Sequence, residues 1–266
     1  MVLKPVIDRC HLCGVKTELT FEHIPPRRAF NDTGVLMQEM DLDLPPKQGS
    51  NPSKLFRYQK GMGSYTLCGR CNNDTGAFYG SSFVDFCRKG MRILQASNYR
   101  PQLFYMMEIK PLAVIKQIVS MFLSINSIDF RDRHMDLVLF VLNRDNKHLP
   151  RKYRLFVYFN VGGMHRATPH TTKIDFNKYT FEHKRTTVMT EVSYPPFGYL
   201  LLIDSEKPAS DIVEITFFAS YDFNERKTIS MTYPVYPTHT IFPSDYRSVE
   251  KINRDIREKG GIVPEG

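Results

Sequence analysis

The chain has 266 residues, 42% hydrophobic and 24% charged, an ordinary globular balance with room for one large domain or two modest ones. A net charge of +8 favours a polyanionic partner such as nucleic acid. The first ten residues, MVLKPVIDRC, lack the apolar core of a signal peptide, and PLAVIKQIVSMFLSI is too short and too polar at Lys116 and Gln117 to span a bilayer. A soluble, cytoplasmic chain is therefore expected, with no membrane partner and no disulfide framework for its five cysteines.

Three zones follow in chain order. Residues 1–95 open with CHLCGVKTELTFEHIPPRRAF (10–30), whose Pro25-Pro26 is expected to end a strand, and continue to LCGRCNNDTG (67–76). Beyond it, Tyr79, Phe83, Phe86, Cys87 and Leu94 form a helical stripe, and Cys87 reads as a small buried apolar residue. Residues 96–150 look mainly helical, with Pro111 in the first turn of a helix and Leu112, Ile115, Val119, Phe122 and Leu123 at 3–4-residue spacing. From 151 to about 245, KYRLFVYFNV, TTVMTEV, FGYLLLID, DIVEITFFASYD and RKTISMTYPVY read as strands. SVEKINRDIREKGG resembles a charged surface helix stopped at Gly260. The expected class is α+β: residues 1–95 as one domain, 96–266 as a helical segment with a β-rich domain.

Cys10 with Cys13 and Cys68 with Cys71 make two C-x-x-C pairs, enough thiolates for a tetrahedral structural zinc. Four thiolates and one zinc ion carry a net −2, which would lower the chain's balance to +6. The 54-residue gap between the pairs is wide. Compared with an 18-residue loop it adds roughly 1 kcal/mol of closure entropy, whereas structural zinc contributes on the order of 10 kcal/mol. The alternatives are a redox pair or two unrelated surface motifs.

Asn72 follows Cys71 and stands at the start of a helix, where a metal or phosphate is well placed. Glu22 and Asn72 offer hard oxygen ligands suited to Mg²⁺ or Mn²⁺. Histidine ordinarily titrates near neutrality, so His23 can take a proton from an attacking water. The bland alternative is a surface Glu22, a His23 that caps the knuckle and an Asn72 that caps a helix.

In that order, C-x-x-C, EHIPP and LCGRCNNDTG resemble the HNH endonucleases of the ββα-metal superfamily, most closely the branch with EHIxP and LCxxCNxxxG. The LCGRCNNDTG segment is also similar to part of a phage junction-resolving endonuclease. The resemblance covers residues 8–90 and implies a ββα-metal module. It implies His23 as general base, and Glu22 and Asn72 as ligands of a catalytic Mg²⁺ or Mn²⁺. Many members carry an Asn where Gly63 stands here, and Glu22 replaces the commoner Asp. Arg27, Arg28 and Arg70 are the first candidates for phosphate contacts, ahead of Lys54, Arg57, Lys60, Arg88 and Lys89. The expected activity is phosphodiester hydrolysis, in DNA rather than RNA. Residues 96–266 are expected to serve recognition, regulation or homo-oligomerisation. A non-catalytic zinc module that binds nucleic acid or protein is the competing class, and an inactive nuclease scaffold is a third.

Overall fold

β1 (Val6–Arg9) and β2 (Lys16–His23) pair antiparallel around the Cys10–Val15 turn, closed by Cys10 N–H donating to Val15 O at 2.9 Å. The structure is a computed structural model describing residues 4–38, 55–59, 61–176, 180, 182–207 and 210–258. β3 (Val35–Gln38) and β4 (Leu55–Tyr58) form a separate two-stranded sheet. β5 (Gly63–Cys68) returns along the free edge of β2, giving the order β1-β2-β5.

β5 runs directly into a helical rod: α1 (Gly69–Thr75), a π-helical turn (Gly76–Gly80) and α2 (Ser81–Ala96). Tyr79, Phe83, Phe86, Cys87 and Leu94 are all buried, as their spacing implied. Gly90 interrupts this good helix, and glycine there is intrinsically unfavourable. A Cβ at Gly90 would lie 2.3 Å from the Phe197 ring, so its absence lets α2 reach the main sheet. There Phe197 stacks with Phe86 and with Phe159 at centroid distances of 4.4 and 4.9 Å.

α3 (Pro111–Ile125) begins with proline in its first turn, as expected. The 3–4-residue spacing suggested one apolar face, but every residue from Pro111 to Ser124 is buried, Lys116 and Gln117 included. α3 is the central helix, packed among β5, α2, α5, β8 and β9. α4 (Ile128–Arg133) and α5 (Met135–Leu142) complete the layer.

The main sheet contains β6 (Gln102–Ile109), β7 (Tyr153–Gly163), β8 (Arg166–Phe176), β9 (His183–Tyr194), β10 (Phe197–Ile203), the short β11 (Val213–Glu214) and β12 (Lys227–Thr238). Its order is β6-β12-β7-β10-β9-β8 with β11 beside β7, and only the β12–β7 pairing is parallel among the described residues. Apolar residues cover both faces of β10, which explains the unbroken FGYLLLI. One large cluster runs from Cys10 through α2 and α3 to Tyr233, and a smaller one around Phe156, Tyr158 and Leu200 lies on the other face.

Three expectations need correction. β6 falls in the stretch read as helical, because Phe104 and Met106 lie exposed (65% and 62%) and blur the period-2 pattern. β8 was not anticipated: RATPHTTKIDF is a polar edge strand with little hydrophobic signal. DIVEITFFASYD is not a long strand but two residues of β11 followed by the 3-10 turn Thr216–Ser220, which packs on α3. The tail helix α6 spans Val249–Glu258, and its expected stop at Gly260 lies outside the described residues. The chain is an α+β protein, and among the described residues no helix is long and apolar enough to cross a membrane.

Candidate metal centre and the strand that carries His23

Cys10 and Cys13 sit in the β1–β2 turn, Cys68 ends β5, and Cys71 lies in the first turn of α1. The β2–β5 pairing, with Leu19 opposite Cys68, closes the 54-residue gap. All four sulfurs lie within 4.8 Å of one another, and Cys13 Sγ is 3.9 Å from Cys68 Sγ. Tetrahedral Zn–S bonds of about 2.3 Å place ligand sulfurs about 3.8 Å apart, so the cluster fits zinc. Backbone N–H groups add support: Cys68 donates to Cys10 Sγ at 3.3 Å and Cys71 to Cys68 Sγ at 3.5 Å. The hydrogen bond from the Cys71 thiol, helped by backbone amides against the cost of burial, lowers Cys10 to about 4, in the thiolate range a metal ligand needs.

The knuckle is also docked from outside. The His11 ring Nδ1 lies 3.2 Å from Leu123 O on α3, and Arg131 on α4 donates to Leu12 O at 3.3 Å.

Along β2 the side chains alternate. Phe21 and His23 share one face, with ring centroids 5.1 Å apart, and Tyr65 packs edge-on to Phe21 at 5.4 Å. Thr20 and Glu22 face the helices. The Asn72 amide donates to Thr20 Oγ1 at 3.1 Å and to Phe21 O at 3.4 Å. Glu22 is 4% exposed and accepts from Ser124 Oγ of α3 at 2.7 Å. Burial raises its carboxyl to about 8, with Ser124 pulling it back and the Cys10 charge adding to the rise. The fold thus brings the Asn72 amide against Thr20 and Phe21 O of the strand that carries Glu22 and His23. Glu22 is covered by α3.

Gly63 pairs with His23 across the sheet. A Cβ at Gly63 would lie 2.1 Å from Glu22 O. The strands approach too closely for any side chain, so the Asn that the HNH pattern carries cannot be accommodated at this position.

The sequence reading missed Asn31, which is fully buried beside it. Its Nδ2 donates to Pro25 O and Met62 O, and its Oδ1 accepts from Met62 N–H, each at 2.7 Å. It fastens the chain just after His23 to the chain just before Gly63. A loop asparagine is a common turn residue, and only the return of the chain at Met62 shows its role. Asn31→Ala is expected to destabilise by about 2–3 kcal/mol, since buried groups left unpaired cost about 1–3 kcal/mol each. Urea unfolding of the variant checks this.

Arg27, Arg28, Arg57, Arg70 and Arg88 are exposed. Arg70 approaches Asp74 at 3.7 Å, and Lys89 is committed to Asp85 and to Glu108 O. Lys54 and Lys60 lie outside the described residues. A cleft of about 1470 Å³ begins at Met62 and Gly34–Leu36 and runs along β8 to the 241–247 segment. Its Met62 wall adjoins the His23 strand, because Met62 O accepts from Ile24 N–H at 3.0 Å. Compared with family models, with curated proteins and with solved structures, the chain matches none of them.

Proposed function

We propose that this chain is a zinc-stabilised, Mg²⁺- or Mn²⁺-dependent HNH-type endonuclease that hydrolyses phosphodiester bonds, with DNA the expected substrate. The observation that supports this reading is the order of elements: antiparallel β2 and β5, then α1, tied together by the four cysteines so that Asn72 meets the strand carrying Glu22 and His23. Two antiparallel strands followed by a helix are compatible with the ββα arrangement that the motif resemblance implies.

The residues fit a hard divalent ion. Glu22 uses one oxygen for Ser124, and its other oxygen has no hydrogen-bond partner among the described residues. Asn72 commits its amide nitrogen to Thr20 and Phe21, which leaves its oxygen as the available ligand atom. An ion bound by these two would supply positive charge to the phosphate and to the departing 3′ oxygen. His23, next to Glu22 on the same strand, accepts the proton of the attacking water. Arg27, Arg28 and Arg70 hold phosphates without reading sequence, and the cleft at Met62 adjoins the chain just after His23 through Ile24. The β-rich region would contribute recognition of the target, self-association or a regulatory contact.

The burial of Glu22 favours a second reading, a non-catalytic zinc module that binds nucleic acid or protein. Plasmid DNA incubated with the protein and with His23→Ala, with and without Mg²⁺ or Mn²⁺, separates the two. Metal-dependent nicking that drops by roughly 10²–10⁴-fold in the variant is the expected result for loss of a general base. Cleavage that survives the substitution removes His23 from the mechanism. No cleavage of DNA or RNA by either protein selects the binding module.

A further inference from the structure

We propose that Ser124 is a positioning residue for Glu22, so that the central helix of the C-terminal region completes the metal site of the N-terminal module. The inference rests on the nuclease reading of Glu22 and Asn72.

Ser124 lies near the end of α3, whose residues are otherwise apolar apart from Lys116, Gln117 and Ser120. A buried helical serine usually satisfies itself on the carbonyl one turn back. Ser124 instead turns its hydroxyl across to β2 and donates to Glu22 Oε2 at 2.7 Å, a contact between residues 102 apart in sequence. Its own exposure is 2%, so no solvent competes for that bond.

What Ser124 leaves unsatisfied is informative. The second oxygen of Glu22 has no hydrogen-bond partner among the described residues, although the residue is 96% buried by the 4% exposure that remains. Nor is it among the unpartnered atoms sealed from solvent. The Asn72 amide nitrogen is engaged with Thr20 Oγ1 and Phe21 O, and its oxygen has no hydrogen-bond partner among the described residues. Once the Glu22 carboxyl is ionised, neither oxygen can donate to the other. On the nuclease reading, a divalent cation bound by both oxygens would satisfy each of them. In such a site an outer hydrogen bond to the carboxylate fixes which oxygen faces the ion and raises affinity. Ser124 is the described residue that makes this bond.

The test is Mn²⁺ binding by the full-length, zinc-loaded protein carrying His23→Ala, measured from the free-Mn²⁺ electron paramagnetic resonance signal. Ser124→Ala is expected to weaken Mn²⁺ binding by roughly 10–100-fold, the usual effect of losing an outer-shell partner. Ser124→Cys, near in size and a weaker donor, should fall between wild type and Ser124→Ala and guards against a folding defect in the alanine variant. Zinc content and unfolding midpoint are read alongside, so that a merely structural role is recognised by loss of both. If Glu22→Gln abolishes Mn²⁺ binding while Ser124→Ala and Ser124→Cys bind as tightly as wild type, the positioning role is overturned and the metal site stands. If Mn²⁺ binds Glu22→Gln as well as wild type, or binds none of the proteins, the metal site itself fails and the role of Ser124 with it.

Discussion

Replacing Cys10 with serine is expected to release zinc and to collapse the packing of the N-terminal module. Cys10 is fully buried, opens the large apolar cluster, and accepts the Cys68 amide that joins the two knuckles. Structural zinc contributes on the order of 10 kcal/mol at neutral pH, whereas whole domains are stable by about 5–15 kcal/mol. Even half of that loss lowers the melting temperature by about 10–20 °C for a chain of this size. The damage extends beyond the knuckle, because α3 and α4 hold it through Leu123 O and Arg131. Metal analysis of the purified variant, with thermal unfolding, checks the prediction. Cys87→Ser is the control: Cys87 is buried against the Tyr199 hydroxyl, 3.8 Å away and remote from the cluster, so zinc should be retained. A Cys10→Ser protein that keeps one zinc per chain would falsify the four-cysteine site.

The second large effect is expected at Lys116. This lysine is fully buried in α3, its ammonium 3.9 Å from the centre of the Phe140 ring. Its Nζ donates to Phe140 O, to Asn143 O at 3.0 Å and to Asn146 O at 2.7 Å. These carbonyls lie at and just beyond the C-terminus of α5, where helical acceptors lack partners and the dipole favours a cation. Lys116→Met keeps the stem but leaves three carbonyls without their donor, and about 3–5 kcal/mol of stability should be lost at neutral pH. Desolvation lowers the Lys116 ammonium to about 7, while the unfolded chain holds that proton to about pH 10.4. Between these values the unfolded state binds more protons, so the lysine's contribution rises with pH. The gap in urea midpoint between wild type and Lys116→Met should therefore widen from pH 7 to pH 10. A constant gap would show that the three carbonyls hold the proton against burial.

Much of the local framework was legible in the sequence. C-x-x-C spacing dictates a metal knuckle because both ligands come from one tight turn. Pro111 announced the start of α3, and Pro25-Pro26 the end of β2. The stripe from Tyr79 to Leu94 showed which side of α2 faces inward. Strands whose patterns lacked a clear two-residue alternation, β6 and β8, were lost, since exposed Phe104 and Met106 and the polar edge strand carry no readable period. In the candidate site the sequence pointed to Glu22, His23 and Asn72 as residues of the right chemistry. It did not reveal that Glu22 meets Ser124, that Asn31 fastens Pro25 to Met62, or that Gly63 lies too close to Glu22 O for a side chain.

By itself, then, the sequence determined the four cysteines that come together as a candidate zinc site, the α+β class and the basic balance, all set by residue type and short spacing. The tertiary structure alone decided that Asn72 packs on Thr20 of β2, how deeply Glu22 is buried, and which partners Lys116 finds. The reason is physical: ligand chemistry and turn geometry are local to a few residues, whereas burial and hydrogen-bond partners depend on helix α3, which packs against β5 and reaches Glu22 of β2 from 102 residues away.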